Sequence, residues 1–345
     1  MPTRRRCGIP VIVCIRNAAA VWPHGLTALL ICAIVGACNQ PFDPRGPLDQ
    51  KMVVFSILST DRSQQIVRVE PDYMPNDYDP LAYTSDNSIA EASVTLKSGS
   101  LTFRLRDTTF LRSDTSRYKS PLRCYVLNAF SPEYGKSYQI NVQSAQFGSV
   151  SGTVLVPAKP AISLEITSYL VLDSPLIARP EANILFPIVC GKNARAFIGR
   201  MFVYYDVVVD GEWVERRSEI PVSFKYSGTE DFQFLSYGSL TQVPTNMHAV
   251  GVYNNLFYSK VLGTLAYETY VDTKIVFNRV VFTVLQVDPN LYKYYIVTHA
   301  FNDPHSARLD EPEFSNILKG EGIVGAYTLD SLVHVLPEGF GFNKR

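Results

Sequence analysis

Tyr134-Gly-Lys-Ser-Tyr-Gln-Ile-Asn-Val142 is the stretch on which the fold turns. Tyr138, Ile140 and Val142 alternate with Gln139 and Asn141, the period of a strand with one buried face. Gly135-Lys136-Ser137 looks like the end of a phosphate-binding loop. Phe130 stands where that motif needs its first Gly, so the segment reads as a β-turn entering a strand. The same pattern recurs on either side. Gln65-Ile-Val-Arg-Val-Glu70 and Thr153-Val-Leu-Val156 alternate, residues 52–58 form a short apolar run, and 92–96 with 101–106 predict a hairpin about Ser98-Gly99. Short strands at this spacing predict a mainly β chain. It opens with a β-sandwich of immunoglobulin or transthyretin type over residues 51–157.

Pro157 and Pro160 cannot donate to a ladder, so the segment between them predicts a boundary. A second β-rich domain, 161–345, would carry two short helices. It opens with the alternating Ile162-Ser-Leu-Glu-Ile166. Residues 201–209 and 216–224 flank Asp210-Gly211, a strong hairpin signal. Leu256, Phe257, Val261 and Leu265 predict a helix near 253–265, and 274–287 a long strand. Asp288 as N-cap and Pro289 in the first turn predict a helix near 289–301. Its inner face would be Leu291, Tyr294, Tyr295, Thr298 and Phe301. Residues 320–336 read as a Gly-rich turn and a last strand.

The chain has 345 residues, with 32 Lys and Arg against 32 Asp and Glu. That balance excludes a generic nucleic-acid binder, which carries a basic excess. Charged residues at 19% and aromatics at 12% exclude long disorder. The zero net charge hides an uneven start. Arg4, Arg5, Arg6 and Arg16 precede any acid, and residues 26–37 are twelve without charge. A membrane span needs about 20 apolar residues, so this run reads as a signal-peptide core. Val35-Gly36-Ala37-Cys38 closes it with a branched residue, two small ones and a thiol, the form of a lipobox. Cys32 follows the bulky Leu30-Ile31 and fails that test. Residues 1–37 are therefore expected to be a lipoprotein signal peptide, and Cys38 the lipidation site. Residues 38–50, with Pro41, Pro44 and Pro47, would be a tether. More than one acyl chain gives stable attachment, at about 0.8 kcal/mol per buried methylene. Cleavage leaves 308 residues with 28 basic and 32 acidic side chains, a net of −4. Two later thiols, Cys124 and Cys190, fall in different predicted domains. They could pair in an exported protein, though burial as separate thiols fits better.

Several stretches, in order, resemble a family of predicted outer-membrane lipoproteins of the Bacteroidetes, domain-of-unknown-function family 4249. They are Val53-Val-Phe-Ser-Ile-Leu-Ser-Thr-Asp-Arg-Ser-Gln-Gln-Ile-Val-Arg-Val-Glu70, Ala92-Ser-Val-Thr-Leu96, Tyr134 to Val142, and Val156-Pro157. Asp288-Pro-Asn-Leu-Tyr-Lys-Tyr-Tyr295 resembles the family's aromatic helix. Phe314-Ser-Asn-Ile317 with Gly320-Glu-Gly-Ile-Val-Gly-Ala-Tyr327 resembles its closing motif, although Leu318-Lys319 separates the two parts. The resemblance implies an envelope lipoprotein at the outer membrane, with a TonB-dependent transporter or another surface component as its partner. It implies no catalytic residue.

Motifs for chemistry are sparse. Gly148-Ser-Val-Ser-Gly152 has its Ser residues at the wrong offsets for a nucleophile elbow. His299 and His305 are six apart, without a His-Glu-x-x-His helix or clustered Cys, so no metal site is expected. The best polar group is the loop from Glu70 to Pro80. Asp72, Asp77 and Asp79 could give hard oxygen ligands, and Tyr73 and Tyr78 could stack on a sugar or a partner. A solvated loop is the plainer reading. Arg104 and Arg106, read as one face of a strand with Arg112, Arg117 and Lys119 nearby, are interrupted by Asp107 and Asp114. Tyr204, Tyr205, Tyr292, Tyr294 and Tyr295 read as core before they read as sugar platforms. The expectation is a non-enzymatic binding or assembly module with no cofactor, lipid-anchored and engaging a transporter or a surface glycan. The alternative is an envelope-anchored hydrolase of polysaccharide or peptide, its carboxylates drawn from distant positions. Asn39, Gln40 and Pro41 lack the acidic run tied to surface export, which leaves either membrane face open.

Overall fold

The computed structural model describes residues 49–73, 87–116, 118, 120–174, 181–226, 233–268, 275–299, 314–338 and 340. All the elements named below belong to the unit Gln50–Arg345. Cys38, the rest of the predicted leader and most of the tether, Asp77, Tyr78, Asp79, Arg117, Lys119, Phe301 and His305 lie outside the described residues.

The first half supplies β1 (Met52–Ser59), β2 (Gln64–Pro71), β3 (Ser93–Ser98), β4 (Leu101–Arg104), β5 (Arg106–Phe110), β6 (Leu122–Asn128), β7 (Ser137–Ser144) and β8 (Gly148–Leu155). After these come β9 (Ala161–Ile162), β10 (Asn183–Val189), β11 (Ala196–Val209), β12 (Glu212–Ile220), β13 (Ser223–Tyr226), β14 (Gln233–Ser236) and β15 (Thr241–Gln242). The chain closes with β16 (His248–Asn254), β17 (Ile275–Val287), β18 (Ile317–Leu318) and β19 (Glu321–Val335). Helices α1 (Ile166–Asp173), α2 (Asn255–Glu268) and α3 (Pro289–His299) complete the set. The fold is mainly β, as its alternation predicts.

One nine-stranded sheet runs in the order β12-β11-β17-β19-β1-β2-β6-β5, with β15 beside β11. A five-stranded sheet, β18-β8-β7-β3-β4, and a three-stranded sheet, β16-β10-β9, lie apart from it in hydrogen bonding. β19 spans both halves of the large sheet. Its residues 321–327 run parallel to 53–59 of β1, and 327–335 run antiparallel to β17. Gly322 permits the entry. Its φ is +106°, and a Cβ there would meet the Val54 carbonyl oxygen at 2.1 Å.

Two cores pack on one face of this sheet. Met52, Val54, Leu58, Val67, Val69 and Tyr125 meet Val94, Leu96, Tyr138, Ile140, Val142, Val150 and Val154 of the five-stranded sheet. Those residues form the two-layer sandwich. Farther along, Met201, Val203, Tyr205, Phe277, Val280, Phe282 and Val284 meet Ile184, Phe186, Ile188 and Tyr253 of the three-stranded sheet, with Leu172, Tyr258 and Leu262 of the helices. Val324 and Ala326 belong to the first core and Leu332 packs on the second, at even spacing along one strand. The segment holding Pro157 and Pro160 is fastened to the sheet. Ala158 N donates to Lys192 O at 2.9 Å, and the buried Gln286 amide donates to Ala158 O and Thr328 Oγ1, each at 3.2 Å, while accepting from Gly191 N at 2.7 Å.

The Asp210-Gly211 hairpin is present, with both residues at positive φ, as this turn requires. Asp288 caps α3 through Asn290 N (2.9 Å) and Leu291 N (3.1 Å) and also accepts from Ala326 N (2.8 Å) of β19. Burial pushes its carboxyl above the ordinary aspartate range, against the pull of those three N–H groups. Four local expectations are corrected. Tyr253 and Asn254 end β16 and α2 starts at Asn255, because Tyr253 stacks on Phe186 in the second core. Ile166 begins α1 rather than ending a strand; β9 stops at Ile162, and Glu165 N and Ser168 Oγ bond the β10 backbone instead. Tyr295 points to solvent (43% exposed), leaving Leu291 and Tyr294 on the packed side of α3. Arg104 and Arg106 do not share a strand face: Leu105 is buried, and the chain passes there from one sheet to the other.

Candidate functional site

The outward face of the five-stranded sheet follows from the same alternation that builds the core. Tyr138, Ile140 and Val142 point in, so Gln139, Asn141 and Gln143 point out. β8 presents Ser149, Ser151 and Thr153 in the same way, and β3 presents Ser93, Thr95 and Lys97. Register then fixes the neighbours. Leu318, Ser151, Asn141 and Thr95 form one row across four strands. Ser149, Gln143 and Ser93 form the next, and Thr153, Gln139, Lys97 and Thr102 the one on the other side. Adjacent strands lie about 4.8 Å apart, so each row is a closely spaced series of hydroxyl and amide groups.

This face holds a trough of about 500 Å³, lined chiefly by Ser93, Thr95, Asn141, Gln143, Ser149 and Ser151, with Lys97 and Lys319 among its other lining residues. Among the described residues, none of those six side chains takes a hydrogen-bond partner within the chain. The Nδ2 atom of Asn141 is buried without one, a costly arrangement for an amide. The lining offers donors, acceptors and two ammonium groups, and neither an imidazole nor a carboxylate. It can bind and orient a polar ligand.

The rim is positioned by the closing motif. Asn316 Nδ2 donates to Val324 O at 2.7 Å and its Oδ1 accepts from Val324 N at 2.8 Å, so an amide takes the place of a strand partner. Lys319 sits at φ +64° in the turn after β18, and Leu318 is 67% exposed at the margin of the trough.

The residues singled out from sequence lie elsewhere. Asp72 Oδ1 accepts from Lys51 N at 2.7 Å and Asp72 N donates to Lys51 O at 3.0 Å, which secures the open end of the β1–β2 ladder. Tyr73 is half-buried beside it; Asp77, Tyr78 and Asp79 lie outside the described residues. Tyr205 is in the second core and Tyr204 is half-buried on the opposite face of β11. Tyr292 accepts from Gln242 Nε2 at 2.8 Å and lies under the Arg195 guanidinium. Cys124 and Cys190 are free and buried; burial raises both thiols, Cys190 to about 11. Among the described residues no three His, Cys, Asp or Glu side chains are grouped to hold a metal ion, and no helix is long and apolar enough to cross a membrane. Sequence reasoning missed the trough. Its signal was the run of Ser, Thr, Asn and Gln at the outward positions of separate strands, including Ser149 and Ser151 of the rejected elbow.

No family model matches the chain, and no curated protein sequence does. Among solved structures, the C-terminal globular domain of an oligosaccharyltransferase from Pyrococcus abyssi is similar at 11% identity and a TM-score of 0.20. The match covers 68% of this chain and 48% of that one. The chain thus spans about half the length of that structure, at a score too low to define a shared fold.

Proposed function

We propose that the chain is a lipid-anchored binding module of the cell envelope. Cys38 would hold it at the outer membrane, and the five-stranded sheet would present its outward face to a ligand. The observation that carries this reading is the trough of unengaged hydroxyl and amide groups on a sheet made rigid by the core beneath it. The basic leader, the short apolar run and Val35-Gly36-Ala37-Cys38 support the anchor. By resemblance to the lipoprotein family, a TonB-dependent outer-membrane transporter is the neighbour expected there. Growth with an alkyne-bearing palmitate tests the anchor. The wild-type chain should take the label and sediment with membranes. Cys38→Ser should lose the label and become soluble; a labelled, membrane-bound Cys38→Ser chain would refute the assignment.

A further inference from the structure

We infer that the trough takes a glycan: an uncharged, polyhydroxylated chain laid across the strands, with Asn141 as its central contact. The inference rests on the reading of this face as the ligand face, and names what it binds.

Three features of the face select that chemistry. The groups are neutral. Ser93, Thr95, Asn141, Gln143, Ser149 and Ser151 carry no charge, and the lining has only Lys97 and Lys319 as cations. A polyanion site would need a clustered basic surface. The groups also lie on the face of the sheet. An extended peptide that adds to a sheet bonds the backbone of an edge strand, which β7 and β3, paired on both sides, do not offer. Finally, each residue type is both donor and acceptor, apart from the lysines. A chain of hydroxyls can meet such a row at every strand, because either partner can supply the proton. Leu318, 67% exposed, ends the row Leu318-Ser151-Asn141-Thr95 with an apolar contact suited to the less polar face of a sugar ring.

Asn141 holds the central position. Its amide lies between Ser151 and Thr95 in the middle row, with Gln139 and Gln143 on either side along β7. Its buried Nδ2 has no partner in the chain. A ligand hydroxyl would supply the missing acceptor once the amide, whose nitrogen is shielded from solvent, turns toward the trough.

Native electrophoresis of the full chain in detergent, through gels cast with soluble xylan, mannan, dextran or polygalacturonate, tests this. At least one of the three neutral polymers should retard the wild-type chain. Asn141→Ala should weaken that retardation about tenfold, the scale for a lost buried hydrogen-bond set. Thr95→Arg, which fills the trough from a half-buried, outward-facing strand position, should abolish it. Arg217→Ala, on the other sheet, should bind as wild type, and unchanged near-ultraviolet circular dichroism would certify each variant as folded. Three results would overturn the inference: no retardation by any neutral polymer, equal retardation of wild type and both trough variants, or retardation by polygalacturonate alone that salt removes. A chain that no polymer retards but that still takes palmitate at Cys38 loses the glycan and keeps the anchor.

Discussion

The outward faces of the two large sheets use opposite chemistry. On β11, β12 and β17 the polar groups consume one another. Arg200 and Arg217 each stand 4.9 Å from the ring centroid of Phe202, and Arg279 stands 4.4 Å over Tyr204. Arg200 bonds Glu219 with two nitrogens, and Arg279 does the same with Glu215. On β8, β7 and β3 the hydroxyls and amides lining the trough are left open among the described residues. Both faces are polar, yet on the first these arginines and glutamates bond one another, while among the described residues the six side chains of the trough bond nothing in the chain. A closed lattice of ion pairs and stacked guanidinium groups adds to stability. An open set of neutral groups adds little to it and is free for recognition.

That contrast can be broken at Phe202. The ring is only 7% exposed although it faces outward, because two guanidinium groups cover it. Phe202→Ala should cost about 3 kcal/mol, near the core value for such a truncation. A urea unfolding series measures it, and a loss below about 1 kcal/mol would mean that the lattice contributes nothing special. The trough should behave in the opposite way. Asn141→Ala removes a buried amide nitrogen that the fold leaves unpartnered. Its unfolding free energy should stay level or rise by up to about 1 kcal/mol while binding falls. A clear destabilisation would make Asn141 a structural residue.

Much of this was legible in the sequence, and what was missed has a physical cause. The inward alternation of Tyr138, Ile140 and Val142, the Asp210-Gly211 turn and the Asp288-Pro289 cap are local devices, and each gives the structure it predicts. α1 was missed because Ile166-Thr-Ser-Tyr-Leu-Val-Leu-Asp173 has no side-chain cap and no acid in its first turn. The trough was missed for a different reason. Every outward Ser, Thr, Asn and Gln was visible in its own strand, but the site exists only in the order β18-β8-β7-β3. That order places Leu318 beside Ser151, far apart in sequence, and periodicity within one strand carries no information about it.

The smallest expected effect is the most specific to the difference in charge. Hydrogen bonding to Arg279 holds the Glu215 carboxyl below its ordinary value of 4.5, and the same contact raises Arg279. A carboxyl depressed in the folded state stabilises the fold above its unfolded value and loses that contribution as pH falls through the folded value. The wild-type chain should therefore lose stability as pH drops below about 4.5, and Glu215→Gln should lack that part of the slope. The pair is partly exposed, with side chains 32% and 45% accessible, so solvent and salt reduce the effect. Urea midpoints followed from neutral pH into the acid range should converge for wild type and Glu215→Gln, and molar salt should bring them closer throughout. Asn141→Ala changes no titrating group, so its curve should run parallel to wild type at every pH. Parallel curves for Glu215→Gln as well would show that the ion pair does not distinguish the two faces energetically, and that the arginines act on the aromatic rings alone.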